Sequence, residues 1–175
     1  MPIELETERL FLRPMNEGDV DAVFALRRDA EMMRFIRQPQ TKRSEAANWV
    51  RLVSSRWQSD RYGFCAVIEK SSGTFVGWCG LWELKESGEI EVGYAITKEF
   101  WKRGLASEAA ARFLEYGFTE LKLEKIVAVA NPENAASRRV MEKIGMSFDD
   151  IGRFYGLDLA HYSISRSVWE TARSV

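Results

Sequence analysis

The 175-residue sequence lacks the features that mark several specialised classes of protein. Its formal net charge is −1, and acidic and basic residues are interspersed, so no overall charge attracts it to nucleic acid or to an anionic membrane. No apolar run approaches the roughly 20 residues that span a bilayer, and the first residues lack the basic-then-apolar order of a signal peptide. We therefore expect a cytoplasmic protein that binds neither nucleic acid nor a membrane.

Cysteine and histidine are also scarce. Cys65 and Cys79 lie in strand-like segments and His161 is the single histidine, so the sequence offers no convincing set of zinc ligands. No serine or cysteine motif accompanies His161 that would make it the base of a catalytic triad. We expect two buried free thiols, no metal, and a structural or substrate-facing role for His161.

Four amphipathic helices are predicted from apolar residues that recur every three or four positions, over 20–28, 41–59, 105 onward and 135–144. Asp19 is placed to cap the first helix, and Gly145 fits the left-handed residue that follows the last one. Strand patterns occupy 8–14, 62–69, 74–84, 90–96, 123–131 and two segments around Gly156.

This order of elements predicts one domain over residues 1–175. The strands at 62–69, 74–84 and 90–96 form an antiparallel meander, and a β-α-β unit follows it. The fold class is α/β (α+β), with a mixed central sheet of about seven strands flanked by about four helices.

The third strand of the meander places large residues on one face and small or acidic residues on the other. Its alternation puts Ile90, Val92, Tyr94 and Ile96 on one side and Glu89, Glu91, Gly93 and Ala95 on the opposite side. Two carboxylates therefore share a face with two very small residues. That face has room for a ligand.

Cations and small residues precede the helix that begins near Leu105. The stretch reads EFWKRGLASEAAARFLEY, with Lys102 and Arg103 directly before Gly104 and Ser107 in the first helical turn. Helix N-termini present unpaired N–H groups, and a glycine lets an anion approach the backbone. The chain has neither GxxxxGK[ST] nor a GxGxxG after a strand, which disfavours a nucleotide-dependent phosphoryl transferase. The stretch predicts an anion site or, alternatively, a solvated basic loop before a well-capped helix.

Four segments of the chain together resemble the GNAT superfamily of acyl-CoA N-acyltransferases. They are TERLFLRP, EVGYAI, FWKRGLASEA and NPENAASRRVMEKIGM, and the resemblance covers about residues 7–170. In that family a Gln/Arg-x-x-Gly-x-Gly/Ala loop binds the pyrophosphate of acetyl-CoA. This chain matches the loop at Gly104 and Ala106 but has Trp101 at its first position, as in the W-x-x-G-x-A-x-E-A form that is similar to the ribosomal-protein N-terminal acetyltransferases.

The resemblance implies a site for acetyl-CoA, the co-substrate, and no metal. Backbone N–H groups at Tyr94, Ala95 and Ile96 would polarise the thioester carbonyl, and Thr97 would lie beside the pantetheine arm. The phosphates would lie against Lys102, Arg103, Gly104, Leu105, Ala106 and Ser107. Asn134 would bind the pantetheine, although Asn is also a good helix cap. Arg138 or Arg139 would reach the adenosine 3′-phosphate; the alternative is an exposed cation pair.

Acetyl transfer to an amine needs a base for the amine and an acid for the departing thiolate. Glu91 is the first candidate for the base and Glu89 the second, because a half-buried carboxylate has a raised pKa. Either residue could instead lie at the surface of a hairpin. Many family members carry a tyrosine acid where this chain has Met141, which cannot donate a proton. Ser137 is then expected to hydrogen-bond the sulfur, unless it is an ordinary first-turn serine.

The resemblance implies transfer of an acetyl group from acetyl-CoA to a primary amine by direct attack in a ternary complex. The acceptor is a peptide N-terminus or a small molecule such as an antibiotic or polyamine. A catalytically silent CoA-binding module is the alternative that Met141 favours and that Glu91 and Ser137 oppose. The acceptor loops, about 28–44 and 151–162, carry no signature of the acceptor, and the sequence does not decide between a monomer and a homodimer.

Overall fold

The computed structural model describes residues 3–174 and is built around an eight-stranded mixed sheet. Its strands are β1 (Leu5–Glu6), β2 (Leu10–Pro14), β3 (Phe64–Glu69), β4 (Thr74–Glu83), β5 (Ile90–Ile96), β6 (Lys125–Ala130), β7 (Ser147–Phe154) and β8 (Leu157–Ser165). They lie in the order β1-β2-β3-β4-β5-β6-β8-β7, and only β5 and β6 are parallel neighbours. The predicted meander is β3-β4-β5.

Six helices accompany the sheet: α1 (Val20–Arg28), α2 (Ala30–Met33), α3 (Arg43–Ser59), α4 (Leu105–Thr119), α5 (Ala135–Lys143) and α6 (Arg166–Arg173). Short 3₁₀ turns at Glu17–Asp19 and Lys98–Phe100 precede α1 and α4. Among the helices of residues 3–174, none combines the length and the apolar character that crossing a membrane requires.

The predicted α/β class and mixed sheet are confirmed, and three short elements are additional. β1 has two residues and α2 has four, so neither is long enough to show a repeating apolar pattern. α6 has eight residues and buries none of them fully, so its apolar residues, which pack Trp169 against the core, span too few turns to identify a helix in a sequence.

The prediction that Asp19 caps α1 is wrong. The Asp19 carboxylate makes no cap hydrogen bond to that helix. It accepts a hydrogen bond from the Asn16 N–H at 2.8 Å and binds both terminal nitrogens of Arg13 at 2.7 and 2.8 Å. The capping side chain is Asn16, which accepts from the Gly18 N–H at 2.8 Å at the 3₁₀ turn. At the end of α5, Gly145 has φ +92°, as predicted.

Two apolar clusters lie on opposite faces of the sheet. The cluster under α4 contains Val92 and Ile96 of β5, and the cluster under α1, α2 and α3 contains Ala95 of the same strand. The predicted alternation of β5 is therefore confirmed. Cys65 and Cys79 are buried free thiols opposite each other on β3 and β4, and burial raises the pKa of both.

The parallel strands β5 and β6 pair only near the start of β5. Their ladder joins Glu91 to Val127, whereas β4 pairs with β5 along the whole of Ile90–Ile96. Beyond Glu91, the edge of β5 that faces β6 therefore has no ladder partner. Because parallel strands end at the same edge of a sheet, this opening lies beside the starts of α4 and α5, a usual place for a ligand.

Candidate functional site

The N-terminus of α4 is open at the predicted anion site. Gly104 precedes the helix with φ +76° and ψ 9°, a left-handed conformation that glycine adopts without strain. Within the described residues, no side chain from the N-cap position bonds the first N–H groups of the helix. Leu105 is buried, Ser107 is 8% exposed, and Ala106 packs at the edge of the core. The first turn therefore presents its backbone N–H groups rather than long side chains.

Two cations that the sequence did not predict flank Gly104. A Cβ at this glycine would lie 3.6 Å from Lys143 Nζ and 3.7 Å from a terminal nitrogen of Arg9. Arg9 is held in place by Glu108 at 2.6 Å and donates to the carbonyl of Arg103 at 2.9 Å. Arg9 is distant from this loop in sequence, so only the packing of β2 against α4 brings it there.

The predicted phosphate residues Lys102 and Arg103 differ in their surroundings. Lys102 is exposed and has φ +62°, in the left-handed region. The Arg103 guanidinium forms a salt bridge with Glu69 of β3, which neutralises part of its charge. Arg103 is therefore less free to meet an anion than its position in the motif predicts.

Trp101, which departs from the general family pattern, fixes the loop to the end of β5. Its indole Nε1 donates to the carbonyl of Ile96 at 2.6 Å. The next residue of the chain, Thr97, bonds β4 instead: its N–H and its hydroxyl donate to the carbonyl of Val76 at 2.8 and 3.3 Å. The indole thus holds the loop against the end of β5, the strand that the family resemblance places beside the thioester carbonyl.

The start of α5 lies across the opening from β5. Asn134 Oδ1 accepts from the Ser137 N–H at 3.1 Å, so its predicted role as a helix cap is confirmed. The Tyr94 hydroxyl donates to the Ser137 carbonyl at 3.0 Å and lies 3.1 Å from Ser137 Oγ. Met141 is 2% exposed within the core. The structure therefore brings the hydroxyl groups of Tyr94 and Ser137 together beside the opening. Ser137 is the residue that was predicted to hydrogen-bond the sulfur.

The two arginines of α5 occupy different environments. Arg138 Nε donates to the Tyr162 hydroxyl at 3.0 Å and its Nη1 donates to the Pro132 carbonyl at 3.2 Å. Arg139 is exposed, and within residues 3–174 its guanidinium makes neither a salt bridge nor a hydrogen bond. Of the pair, Arg139 is the cation that remains available to a phosphate.

Glu91 is a buried carboxylate with one hydrogen-bond partner from a distant turn. It is 6% exposed, and its Oε1 accepts a hydrogen bond from the Tyr155 hydroxyl. Burial raises the pKa of Glu91 from 4.5 to about 7, against the lowering effect of the Tyr155 hydrogen bond, and the nearby Glu86 charge raises it further. Such a group changes its charge near neutral pH.

A two-residue turn between β7 and β8 positions Tyr155. Tyr155 and Gly156 have φ +52° and +74°, the signs that a type I′ hairpin turn requires. Tyrosine is an unusual residue at positive φ, and two carboxylates hold it there: Glu86 accepts from its N–H at 2.6 Å and Glu91 accepts from its hydroxyl. The strands around Gly156 were predicted, but the contact of the turn with Glu91 was not.

Glu89 shares the face of Glu91 but is paired. Its carboxylate lies 2.5 Å from Lys125 Nζ and 3.2 Å from His161 Nε2. Burial raises the pKa of Glu89, but the hydrogen bonds from Lys125, Ser87 and His161 outweigh that effect and leave the pKa below its usual value. His161 is 8% exposed and stacks on Phe154. Glu89 is thus better suited to structure than to accepting a proton.

Aromatic rings cover the face that carries Glu91. Trp82 lies opposite Glu91 on β4, and Trp78 lies opposite Ala95. Phe64 joins them, with its ring centroid 4.7 Å from Trp78 and 5.3 Å from Trp82. A wall of aromatic rings therefore extends from the carboxylate toward α1 and α3. Within the described residues, no group of three or more His, Cys, Asp and Glu side chains is arranged to hold a metal ion.

The segment that contains both β5 and the start of α4 matches a known family of enzymes. The family model described as "Acetyltransferase (GNAT) domain" matches residues 9–147. The chain belongs to this GNAT family of acetyltransferases. It is 31% identical over 156 residues to the "Uncharacterized N-acetyltransferase p20" of Bacillus licheniformis, with 86% of each chain covered. The family and the enzyme class that the four segments predict are thereby confirmed.

Solved structures agree in fold. An acetyltransferase of the GNAT family from Bacillus anthracis is 28% identical, with a TM-score of 0.82 over 94% of this chain and 99% of that one. Spermidine N-acetyltransferase from Vibrio cholerae, in complex with CoA and spermine, is 21% identical with a TM-score of 0.77, covering 94% and 99%. RimL, the ribosomal L7/L12 α-N-protein acetyltransferase, in complex with coenzyme A, is 16% identical with a TM-score of 0.81, covering 93% and 98%. The last two likenesses show the shared fold alone.

Proposed function

We propose that this chain transfers the acetyl group of acetyl-CoA to a primary amine by direct attack in a ternary complex. The observation that carries the proposal is the position of β5. On one face it holds the buried Glu91, whose pKa is about 7, and its end leads to the uncapped N-terminus of α4. A proton acceptor and an anion site therefore lie at the two ends of one strand.

The cofactor side is assigned to the segments that surround Gly104. The N–H groups of Leu105, Ala106 and Ser107 bind the pyrophosphate, with Lys102, Lys143 and Arg9 as the surrounding cations. The backbone of Tyr94–Ile96 and Thr97 lies along the pantetheine arm, and Asn134 binds the same arm through its amide nitrogen, since its oxygen caps α5. The free guanidinium of Arg139, rather than Arg138, takes the 3′-phosphate. Acetyl-CoA supplies the acetyl thioester.

Glu91 is assigned as the base. An amine is mostly protonated at neutral pH, and a carboxylate with a pKa near 7 accepts its proton more readily than an exposed glutamate does. The proton passes to Glu91 directly or through the Tyr155 hydroxyl, which is bonded to it. Glu89 is excluded from this role in the proposal because Lys125 and His161 already occupy its oxygens.

Ser137 and Tyr94 are assigned to the departing thiolate. Burial raises the pKa of Tyr94, so its hydroxyl keeps its proton, and its hydrogen bond to Ser137 links the two side chains. Ser137 Oγ then donates toward the sulfur, while Tyr94 fixes the position of Ser137. This pair takes the role of the tyrosine acid whose position Met141 occupies in this chain.

The acceptor is assigned only as a primary amine. The ribosomal-protein acetyltransferase segments and the fold of RimL support a peptide N-terminus, while the fold of spermidine N-acetyltransferase supports a small amine. The alternative of a silent CoA-binding module depends on Met141, whose buried thioether has no proton to donate.

The test measures thiol release from acetyl-CoA with N-terminal peptides, polyamines and aminoglycosides as acceptors. With the best acceptor, Glu91→Gln should lower kcat by about 100-fold, because general base catalysis contributes on that order. It should also abolish the rise in rate that accompanies ionisation of Glu91 near pH 7. The dissociation constant of CoA should stay unchanged.

Glu89→Gln is the matched control, since Glu89 directly precedes β5 and shares the face of Glu91; we expect less than about a 5-fold change in kcat. An unaltered pH profile in Glu91→Gln would show that Glu91 is not the base. Binding of CoA without turnover of any amine would support the silent module, and absence of CoA binding would contradict the whole proposal.

A further inference from the structure

Arg27 is a buried cation without an acidic partner. It lies in the last turn of α1 and is 2% exposed. Within the described residues it forms no salt bridge, and its Nε makes no hydrogen bond. Charged side chains are rarely buried unless paired, because leaving water has a large cost in free energy. Arg27 therefore requires an explanation.

The contact of Arg27 with Trp49 supplies only part of that explanation. The guanidinium carbon lies 4.2 Å from the centroid of the Trp49 ring, a distance typical of a cation–π interaction. The ring attracts the positive charge through its face. It offers no hydrogen-bond acceptor to the N–H groups, which point outward in the plane of the guanidinium. Glu45 lies close enough to raise the pKa of Arg27, but the two form no salt bridge, and Glu45 Oε1 accepts from the N–H groups of Thr41 and Lys42.

A second unpaired donor lies beside the same tryptophan. Three buried side-chain atoms in residues 3–174 make no hydrogen bond: Arg27 Nε, Trp78 Nε1 and Gln40 Oε1. Trp49 contacts the side chains that carry the first two, since its ring centroid is 5.6 Å from that of Trp78. Gln40 is adjacent as well, because its N–H donates to the Arg27 carbonyl at 2.8 Å. Buried polar atoms are nearly always paired, so such a cluster points to a partner outside the chain, which is an ordered water, an ion or a ligand.

The cluster is continuous with the face that carries Glu91. The Trp78 ring would lie 3.7 Å from a Cβ at Gly93, two residues along β5 from Glu91. At one end of this aromatic wall is the carboxylate assigned to the amine. At the other end are a guanidinium and an indole N–H, which donate and cannot accept. Arg37 adds a positive charge, since it lowers the pKa of Arg27 and of Tyr155.

We infer that the acceptor carries a carboxylate in addition to its amine, and that Arg27, with Trp78 Nε1, binds this carboxylate. The inference rests on the proposed function and narrows its acceptor class to amino acids or acidic N-terminal peptides. A polyamine would place cations against Arg27 and Arg37 and is disfavoured. Although burial lowers the pKa of Arg27 to about 10, the guanidinium is still charged at neutral pH.

The test compares acceptors that differ only in the carboxylate. L-leucine and L-leucinamide represent a free amino acid, and the amidated peptides Ser-Asp-Gly and Ser-Asn-Gly represent an acidic N-terminus. For each pair, the ratio of kcat/KM for the acid to that for the amide is measured in wild type and in Arg27→Met. The ratio should fall by about 10- to 100-fold in the variant, the usual effect of losing a hydrogen bond to a charged group. The pair that responds identifies the source of the carboxylate.

Two variants and one binding measurement complete the test. Arg28→Met is the matched control, because Arg28 is exposed and its guanidinium carbon lies 5.5 Å from the centroid of the Phe24 ring. The ratio in this variant should equal that of wild type. Arg27→Lys, which keeps the charge, should recover part of the preference. In wild type, the acetylated acids should inhibit more strongly than the acetylated amides, a result that does not depend on whether Arg27→Met folds.

The outcomes separate this inference from the proposed function. Amines that are acetylated with equal ratios in wild type and Arg27→Met, or acids and amides that inhibit equally, would overturn the inference alone. Preference of wild type for spermidine over every carboxylated amine would also overturn it. Failure to acetylate any amine despite CoA binding would instead remove the proposed function on which the inference depends.

Discussion

The two sides of the candidate site are assembled in different ways. Around Gly104, most groups come from one continuous stretch, 97–107, and most of the cations near it are exposed. Around Glu91, the groups come from separate elements: α1, α3, β4, β5 and the β7–β8 turn. A helix start binds an anion at the surface with backbone groups, so adjacent residues suffice. A carboxylate acquires a raised pKa only when distant parts of the chain exclude water from it.

The charges on the two sides also differ in their pairing. Arg9 and Arg103 are bound to Glu108 and Glu69, so the cofactor side is partly neutralised. On the acceptor side, Glu91 has a neutral partner, Tyr155, and Arg27 has no acidic one among the described residues. We therefore expect substitutions on the cofactor side to change CoA binding, and substitutions on the acceptor side to change proton affinity and acceptor choice.

The largest expected effect is on CoA binding, and it tests whether Gly104 matters for the cofactor side specifically or only because a substitution strains the backbone. Gly104→Val should raise the dissociation constant of CoA by about 100-fold, or about 3 kcal/mol, because a β-branched residue is strained at φ +76° and moves the anion-binding backbone. Calorimetric titration with CoA measures this. Gly73→Val is the control: it has φ +67° in open space in the β3–β4 turn and should leave CoA binding intact. Equal losses in both variants would refute a specific role for Gly104.

The next effect concerns Glu91 and the neighbouring Glu89. Replacing each with glutamine should change the free energy of unfolding in opposite directions. Glu91 has a pKa of about 7 in the folded chain and an ordinary value of 4.5, so the folded state holds its proton between these values. The free energy of unfolding therefore falls as pH rises from about 4.5 to 7, and the cost is complete above pH 7. Glu91→Gln should thus stabilise the protein by about 3 kcal/mol at pH 8 and by little at pH 4.

Glu89→Gln should act in the opposite direction. The pKa of Glu89 lies below its usual value, so the charged form stabilises the folded chain above the unfolded pKa and loses that effect as pH falls. Urea unfolding at pH 4 and pH 8 measures both variants. If both variants, or neither, were more stable than wild type at pH 8, the two carboxylates would not have opposite effects on the free energy of unfolding.

The smallest effect tests the contact between β5 and α5. Ser137→Ala should lower kcat by about 10-fold, because it removes the hydroxyl assigned to the departing sulfur. Tyr94→Phe, which removes both contacts of the tyrosine hydroxyl with Ser137, should lower kcat by a smaller factor because Ser137 Oγ remains. Neither variant should change CoA affinity. Tyr162→Phe serves as a comparison, since its hydroxyl contacts Arg138 and Glu142 rather than Ser137. Steady-state kinetics with a poor leaving thiol would enlarge the loss in Ser137→Ala. Unchanged kcat in both site variants would contradict their assignment.

The residues that the sequence predicted correctly depend on near neighbours. The alternation of β5, the cap at Asn134 and the left-handed Gly145 are each set by residues within a few positions, as are the loop and helix around Gly104. Where a local pattern failed, a competing neighbour was the reason. Asp19 has the sequence of a cap, but Arg13 and the Asn16 N–H bind its carboxylate instead.

By itself, the sequence determined the family, the order of the main elements and the position of the loop that is proposed to bind an anion, because these follow from periodicity and from motifs of adjacent residues. Only the tertiary structure decided that Tyr155 bonds Glu91, that Arg9 and Lys143 flank Gly104, and that Arg27 is buried without an acidic partner. Those contacts join residues far apart in the chain. Their distances, and the burial that shifts proton affinity, depend on how the sheet orders its strands and how the helices pack on it.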